Sequence, residues 1–325
     1  LVCSMSLPKV YISVLNWNGY EQTIRCLHSL KHLDYANYQV IVVDNDSHDD
    51  SVDRIRAAFP EMKLLCADTN RGYAGGNEIA LKEALTDPEA ELFWILNNDT
   101  IVRPDTLTTL VEGYQQHGEA LYGGIPLDEN SENGEWRIQM NIWEIRKDGQ
   151  YQQRGLSNYP FSQYFPTTEP RIVAGLSGST LMIPVSVARK HGFIDTSFFL
   201  YSEEIDYCLR LRAAGINSYI VPKSVIFHVN GGSRRDKPEL KPVIIYYQTR
   251  ARLVLAHRHF GGFTYMTTLL KQCFFVIGWL VSSLSKGKLA LKSAYFMTLG
   301  IRDGVLNRMG KTFAPENILN TSTKF

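Results

Sequence analysis

Leu92-Phe93-Trp94-Ile95-Leu96-Asn97-Asn98-Asp99-Thr100 decides the fold: an unbroken apolar run stops abruptly at four polar residues. That is the pattern of a strand buried on both faces whose carboxyl end opens onto polar chemistry. Three earlier runs, at 10–15, 39–44 and 62–67, repeat it. Between them Ile24, Leu27 and Leu30, then Val52 and Ile55 before Phe59, then the stretch 79–85 carry helical patterns. The alternation predicts a doubly wound α/β sheet, in which ligands collect at the carboxyl ends of the strands. Those ends are 16–19, 44–47, 70–76 and 97–100.

Farther along, a helix is predicted to start with Pro104 as its first residue, presenting Leu107, Leu110, Val111 and Tyr114 on one face. Alternating Trp136, Ile138, Met140 and Ile142, followed by Asp148-Gly149, predict a hairpin and loop over the site. A strand near 179–183, helices over 185–191 and 203–213, and two strands at 218–221 and 225–228 follow. Gly231-Gly232, Arg234-Arg235, Pro238 and Pro242 then mark a boundary, which divides the chain into 8–235 and 236–325.

Length and composition bound the function. The 325 residues suffice for about two domains, and 44% hydrophobic with 21% charged residues excludes a disordered, collagen-like or polytopic membrane chain. Cys3, Cys26, Cys66, Cys208 and Cys273 show no CxxC spacing, so neither a zinc site nor a disulfide framework is expected, and a reducing compartment fits best. Leu1 to Leu7 is too short for an apolar targeting core before Pro8-Lys9, which points to a cytosolic N-terminus. The net charge of +1 hides a segregation: residues 1–230 hold 19 basic and 29 acidic side chains, whereas 231–325 hold 15 and 4. The basic part favours an anionic surface; the acidic part would repel an anionic ligand unless a metal or local cations intervene. Within the basic part, 261–284 is strongly apolar and aromatic, broken only by Lys271, and its uncharged run 272–285 spans 14 residues. That is short of the roughly 18 to 20 a spanning helix needs. An interfacial helix flanked by Lys286, Lys288 and Lys292 is the reading we favour, with a buried core helix, or a true span in which Lys271 snorkels, as the alternatives.

Five positions carry candidate chemistry. Asp44, at the tip of the second strand, can accept hydrogen bonds from a nucleobase or ribose, or can simply form a turn. In Asn70-Arg71-Gly72-Tyr73-Ala74-Gly75-Gly76-Asn77 the glycines permit close backbone approach, with amides at a helix start able to meet a phosphate; a plain helix-entry turn has the same composition. It is not GxGxxG, which removes the dinucleotide fingerprint. Asp99 is a hard oxygen ligand suited to Mg²⁺ or Mn²⁺, or a helix cap. Glu203 and Glu204 open a helix in Tyr201-Ser202-Glu203-Glu204-Ile205-Asp206, where neighbouring carboxylates can serve as a general base or satisfy the helix N-terminus. Asp206 and Arg210, four apart, are expected to pair. His228 ends a strand before a glycine pair and could complete a metal shell or be structural.

Taken in order, the motifs resemble the family 2 inverting glycosyltransferases of GT-A fold, particularly bacterial rhamnosyltransferase-like members. The resemblance rests on 14–19, 43–45, 70–77, 96–99, Gly192-Phe193-Ile194-Asp195 leading to 199–206, His228 with 231–233, and the tail 300–304 with 308–311. It implies a GT-A α/β fold with a mostly parallel central sheet and a C-terminal helical region that associates with membrane or acceptor. It implies transfer of a sugar, rhamnose favoured, from a dTDP- or UDP-linked donor to a lipid-linked or glycan acceptor in surface glycan assembly. The enzyme would act peripherally at the inner face of the plasma membrane, with no nucleic acid partner. Asn16, Asp44, Asn45, Arg71, Gly72, Gly76, Asn98 and Asp99 would bind the donor. Asp99 and His228 would hold the divalent cation, Mg or Mn, and Glu204 would be the base with Glu203 in reserve. Two positions depart from the family pattern: Glu204 replaces the usual Asp, and Asn97 stands where a full DxD motif has an acid. A sugar nucleotidyltransferase would need a glycine- and basic-rich loop after the first strand, which Asn16-Trp17-Asn18-Gly19 is not. A catalytically silent scaffold of the same fold is the remaining alternative.

Overall fold

The computed structural model describes residues 7–128, 135–145, 151–228 and 238–315. Cys3, the Asp148-Gly149 turn and the 231–235 motif lie outside the described residues.

Val10, Ile12, Ser13 and Val14 are fully buried and Tyr11 nearly so, so the first strand is covered on both faces, as an apolar run without alternation requires. The elements run β1 (Lys9–Asn16), α1 (Tyr20–Leu30), β2 (Tyr38–Asp44), α2 (Ser51–Ala58), β3 (Lys63–Cys66), α3 (Gly72–Ala84), β4 (Ala90–Asn97), β5 (Thr100–Val102) and α4 (Thr106–His117). They continue with β6 (Leu121–Asp128), β7 (Asn141–Ile145), β8 (Tyr151–Gly155), α5 (Phe161–Tyr164), β9 (Arg171–Val173), β10 (Thr180–Pro184), α6 (Val185–His191), α7 (Glu203–Ala213) and β11 (Ser218–His228). Three helices close the described chain: α8 (Lys241–His259), α9 (Gly261–Lys286) and α10 (Lys288–Val305).

One sheet orders its strands β3-β2-β1-β4-β10-β6-β11-β5, with β9 on β11. Strands β1 to β4, β6 and β11 run one way; β5, β9 and β10 run the other. The mixed α/β architecture is the one expected, and β7 and β8 form the expected hairpin. Two details differ. Helix α4 starts at Thr106, because the Pro104 carbonyl is taken by the Asp34 N–H (3.0 Å) and Asp105 occupies the cap. Positions 218–228 form a single strand: the register against β6 shifts between Ile220 and Val225, and that irregularity absorbs Pro222, which has no N–H to give the ladder.

The chain groups into two compact units: Leu1–Asn70, Gly75–Ile194 and Tyr207–Gly232 form one; Arg71–Ala74, Asp195–Asp206 and Ser233–Phe325 form the other. In the first, Trp94, Ile12, Leu27, Leu110 and Tyr122 centre a core between sheet and helices. In the second, Val243, Tyr246 and Tyr247 of α8 and Phe296 of α10 enclose Phe199. The glycines of the 300–304 motif serve that packing: a Cβ on Gly300 would lie 2.7 Å from the Tyr246 carbonyl oxygen, and one on Gly304 2.9 Å from Leu253 Cβ. Helix α9 packs on α8 and α10 yet is inverted, hiding Gln272 and exposing Phe263 (83%), Met266, Leu270, Phe274, Ile277, Val281 and Leu284 (89%). Their spacing of three and four places these seven on one stripe. By length and composition α9 is the one described helix that could cross a membrane.

Candidate active site

At the carboxyl end of β1 and β2, parallel pairing sets Asn16 opposite Asp44. The Asn16 amide donates to Asp44 Oδ1 (2.7 Å) and to Ser47 Oγ (3.2 Å), and accepts the Thr23 hydroxyl (2.7 Å). Asp44 also takes the Ser47 N–H (2.9 Å) and hydroxyl (2.7 Å). Asp44 thus forms the side-chain turn its sequence allowed, buried to 2% exposure, and its roughly four acceptor positions exceed the three donors on it. Asn45 reaches Asn70 Oδ1 (3.2 Å), and the Asn70 N–H donates to Asp46 (3.2 Å), tying the start of the glycine loop to the β2 end. Asn98 turns toward α1, donating to Thr23 Oγ1 (2.9 Å). Gly76 has a packing reason: a Cβ there would lie 2.4 Å from Leu15 Cδ1 on β1. Ser47 and Thr23, which sequence reasoning missed, hold this end together; the Asp44–Ser47 spacing of a side-chain turn was the available signal for Ser47.

Asp99 and His228 are brought together by the sheet. The antiparallel β5–β11 pair places His228 opposite Thr100, which leaves His228 Nε2 3.4 Å from Asp99 Oδ1. That separation is long for a hydrogen bond, and Asp99 Oδ1 is a buried oxygen with no hydrogen-bond partner. An orphaned carboxylate oxygen facing an imidazole nitrogen is a donor set that a divalent cation satisfies, so the pair fits the ion the sequence called for. Among the described residues no group of three such ligands occurs, and a divalent ion with two protein ligands completes its shell from substrate oxygens and water.

The second unit carries the remaining candidates. Gly72 sits at φ +71, and a Cβ on it would lie 2.1 Å from the Phe199 carbonyl oxygen; Tyr73 N–H donates to that oxygen (3.0 Å). Arg71's loop therefore docks on Phe199. Phe199 (φ 68), Tyr201 (φ 72) and Ser202 (φ 67) all occupy the left-handed region, a concentration of strain found where surrounding structure imposes a geometry. This run leads directly into Glu203, which is buried, and Glu204, which is partly exposed, in the first turn of α7. The expected Asp206–Arg210 pair does not form. Asp206 instead meets Arg258 (3.1 Å) and His259 (2.9 Å) at the end of α8, while Arg210 donates to the carbonyls of His191 (2.9 Å) and Phe193 (2.6 Å). Arg258 also bonds Asp195 (2.9 Å). Burial alone would raise the Asp195 carboxyl, but hydrogen bonds from Ser197 and the Arg258 guanidinium outweigh it and hold the group below the usual carboxylate range.

The chain is 26% identical over 188 residues to the low-salt glycan biosynthesis hexosyltransferase Agl10 of Haloferax volcanii, covering 55% of each protein; it thus spans about half the length of that relative. It is 26% identical over 254 residues to the N-acetylglucosaminyl-diphospho-decaprenol L-rhamnosyltransferase of Mycobacterium tuberculosis, covering 73% of this chain and 80% of that one. The mannosyltransferase PcManGT of Pyrobaculum calidifontis, solved with GDP-Man and Mn²⁺, superposes with TM-score 0.57 at 12% identity over 94% of this chain and 89% of that one, a likeness of GT-A fold. Residues 11–191 match the profile of glycosyl transferase family 2, and with more than half of its length so matched, this chain belongs to that family.

Proposed function

We propose that the protein is an inverting, metal-dependent glycosyltransferase that moves a sugar, rhamnose favoured, from a dTDP- or UDP-linked donor to a hydroxyl of a lipid-linked or glycan acceptor. The observation that carries the reading is the orphaned Asp99 Oδ1 facing His228 at the end of the nucleotide-binding type of sheet. Asp44, Asn45, Asn16, Arg71 and the Gly72 amide bind the nucleoside, with Asn98 and Gly76 shaping the ground beneath. Asp99 and His228 hold the divalent ion, which, when bound, offsets charge on the departing nucleoside diphosphate. Glu204 accepts the proton of the acceptor hydroxyl; the freed oxygen bonds to the anomeric carbon from the side opposite the diphosphate, whose bond breaks, so the anomeric centre inverts. Glu203, buried beside it, is the reserve carboxylate.

Membrane association completes the reading. The α9 stripe is apolar and outward, and the stretch 238–315 holds 11 Lys and Arg against 2 Asp and Glu, which complements anionic headgroups. A span is disfavoured because the inner face of α9 packs on α10, with Lys288, Lys292 and Arg302 exposed along it, and on α8, whose Lys241 ammonium lies 5.1 Å from the Trp279 ring. Lying in the interface, α9 would hold the enzyme at the inner face of the cytoplasmic membrane, where a lipid-linked acceptor is available.

The test is release of nucleoside diphosphate from a panel of UDP-, dTDP- and GDP-sugars with Mg²⁺ or Mn²⁺ and a polyprenyl-linked acceptor. Glu204→Gln is expected to leave donor binding within about threefold while lowering turnover at least about 10²-fold. Near-normal turnover would remove Glu204 from the base role, and cleavage of a sugar phosphate with NTP would favour the nucleotidyltransferase.

A further inference from the structure

We infer that Arg250, in the middle of α8, is the positioning residue for the turn that carries Glu204; the inference rests on Glu204 being the base. Arg250 is 1% exposed, and an arginine so deeply buried must spend its charge on partners. Its closest partners are two backbone carbonyls, with the Thr312 hydroxyl a longer third at 3.4 Å. Nη2 donates to the Phe198 carbonyl (2.5 Å) and Nη1 to the Gly310 carbonyl (2.7 Å). Gly310 N–H in turn donates to the Ser197 carbonyl (2.6 Å), so the guanidinium, Gly310 and residues 197–198 form a closed set of bonds. Tyr246 and Tyr247 face the guanidinium at 5.4 and 4.9 Å from their ring centroids, and are themselves tied down, Tyr246 to Asp303 (2.8 Å) and Tyr247 to the Phe313 carbonyl (2.8 Å).

The place of this clamp is what gives it a role. The residue after Phe198 begins the run of left-handed backbone at Phe199, Tyr201 and Ser202. Strained torsions of this kind persist only where neighbours over-determine them. The clamp fixes the run on its upstream side, and Asp206, held by Arg258 and His259, fixes it on the downstream side; Glu203 and Glu204 lie between the two anchors. The planar guanidinium holds its two Nη donors apart in a fixed fork aimed at the two carbonyls, a spacing that the compact lysine ammonium does not reproduce. Misplacing a catalytic group by about 1 Å costs about 10²-fold in rate. Of the proposed donor-binding residues only the Arg71–Gly72 loop docks on Phe199; Asn16, Asp44 and Asn45 are held at the ends of β1 and β2 by bonds that do not involve this turn, so most of the donor affinity is expected to survive its loosening.

The experiment compares Arg250→Lys, Arg250→Met and Gly310→Ala, each alone and combined with Glu204→Gln, in the full chain, with turnover normalised to donor-binding sites counted by calorimetry. The expected result is kcat per binding site lowered at least tenfold, donor Kd within about threefold, and less than a twofold further effect of Arg250→Lys once Glu204 is Gln, because both changes disable one group. Gly310→Ala, which keeps the guanidinium and disturbs its acceptor, is expected to show the same signature if the Arg250 variants fold poorly. Unchanged kcat per binding site, or losses that multiply independently with Glu204→Gln, would overturn the assignment. Normal turnover in Glu204→Gln alone would instead refute the base reading on which it stands.

Discussion

Gly72→Ala is the sharpest probe of the junction at Phe199. Two costs arise together. An alanine held at φ +71 pays about 1 kcal/mol or somewhat more for the left-handed conformation. Its Cβ would also lie 2.1 Å from the Phe199 carbonyl oxygen and 2.8 Å from the carbonyl carbon, backbone atoms that are themselves constrained. Overpacking of this kind costs about 1–3 kcal/mol, and the Tyr73 N–H bond to the same oxygen adds about 1 kcal/mol when it breaks. A loss of about 3–5 kcal/mol is expected. Gly215 supplies the control, because it closes α7 in the left-handed region at φ +86 with nothing within 4 Å of its Cβ position; Gly215→Ala should cost only about 1 kcal/mol. Urea titration of both variants measures the difference directly, and turnover should fall at least about 10²-fold in Gly72→Ala alone, since Arg71 and the α7 turn both hang on Phe199. Equal destabilisation by the two substitutions would refute the contact argument.

Asp99→Ala should abolish the rise in thermal stability that Mn²⁺ with a donor diphosphate gives the native protein, and His228→Ala should weaken it; an unchanged metal titration in both would remove the pair from the metal role. Asp87 is held down to about 2 by hydrogen bonds from the Lys9 ammonium and the Tyr11 hydroxyl. A depressed carboxylate contributes stability fully above its unfolded value of about 3.9 and loses it as pH falls toward 2, so acid titration should show a decline through that window that Asp87→Asn flattens. Phe274→Asp with Ile277→Asp should lower sedimentation with anionic vesicles at least about 10²-fold, each buried apolar side chain being worth about 1.5–3 kcal/mol; binding that survives the pair would detach α9 from the membrane.

What the sequence disclosed follows from what local pattern encodes. The buried strands, helices 185–191 and 203–213, and the hairpin were readable because burial on one or both faces imposes a period. The continuous β11 was not: Pro222-Lys223-Ser224 has the composition of a turn, and only the neighbouring β6 shows that it is a bulge. Asp99 and His228 were each nominated by residue type, yet their meeting depends on β5–β11 register, which no spacing in the chain reveals. The Asp206–Arg210 expectation failed because local spacing cannot see partners on α8, about fifty positions away. Arg250 escaped notice since arginine in an amphipathic stretch reads as surface, and the left-handed torsions before Glu203 fall on Phe, Tyr and Ser, whose identities carry no sign of them.

The anchoring of residues 195–202 has an outcome during biosynthesis. The last strand of the sheet ends at His228, but Arg250, Gly310 and Phe313, which secure the segment before the glutamates, leave the ribosome later. At about 5–20 residues per second, the nascent chain spends on the order of 4–17 s with a finished sheet and an unfastened carboxylate turn. The segment that carries Glu203 and Glu204 is therefore fastened last, and a polypeptide interrupted in that interval lacks the anchors of that turn.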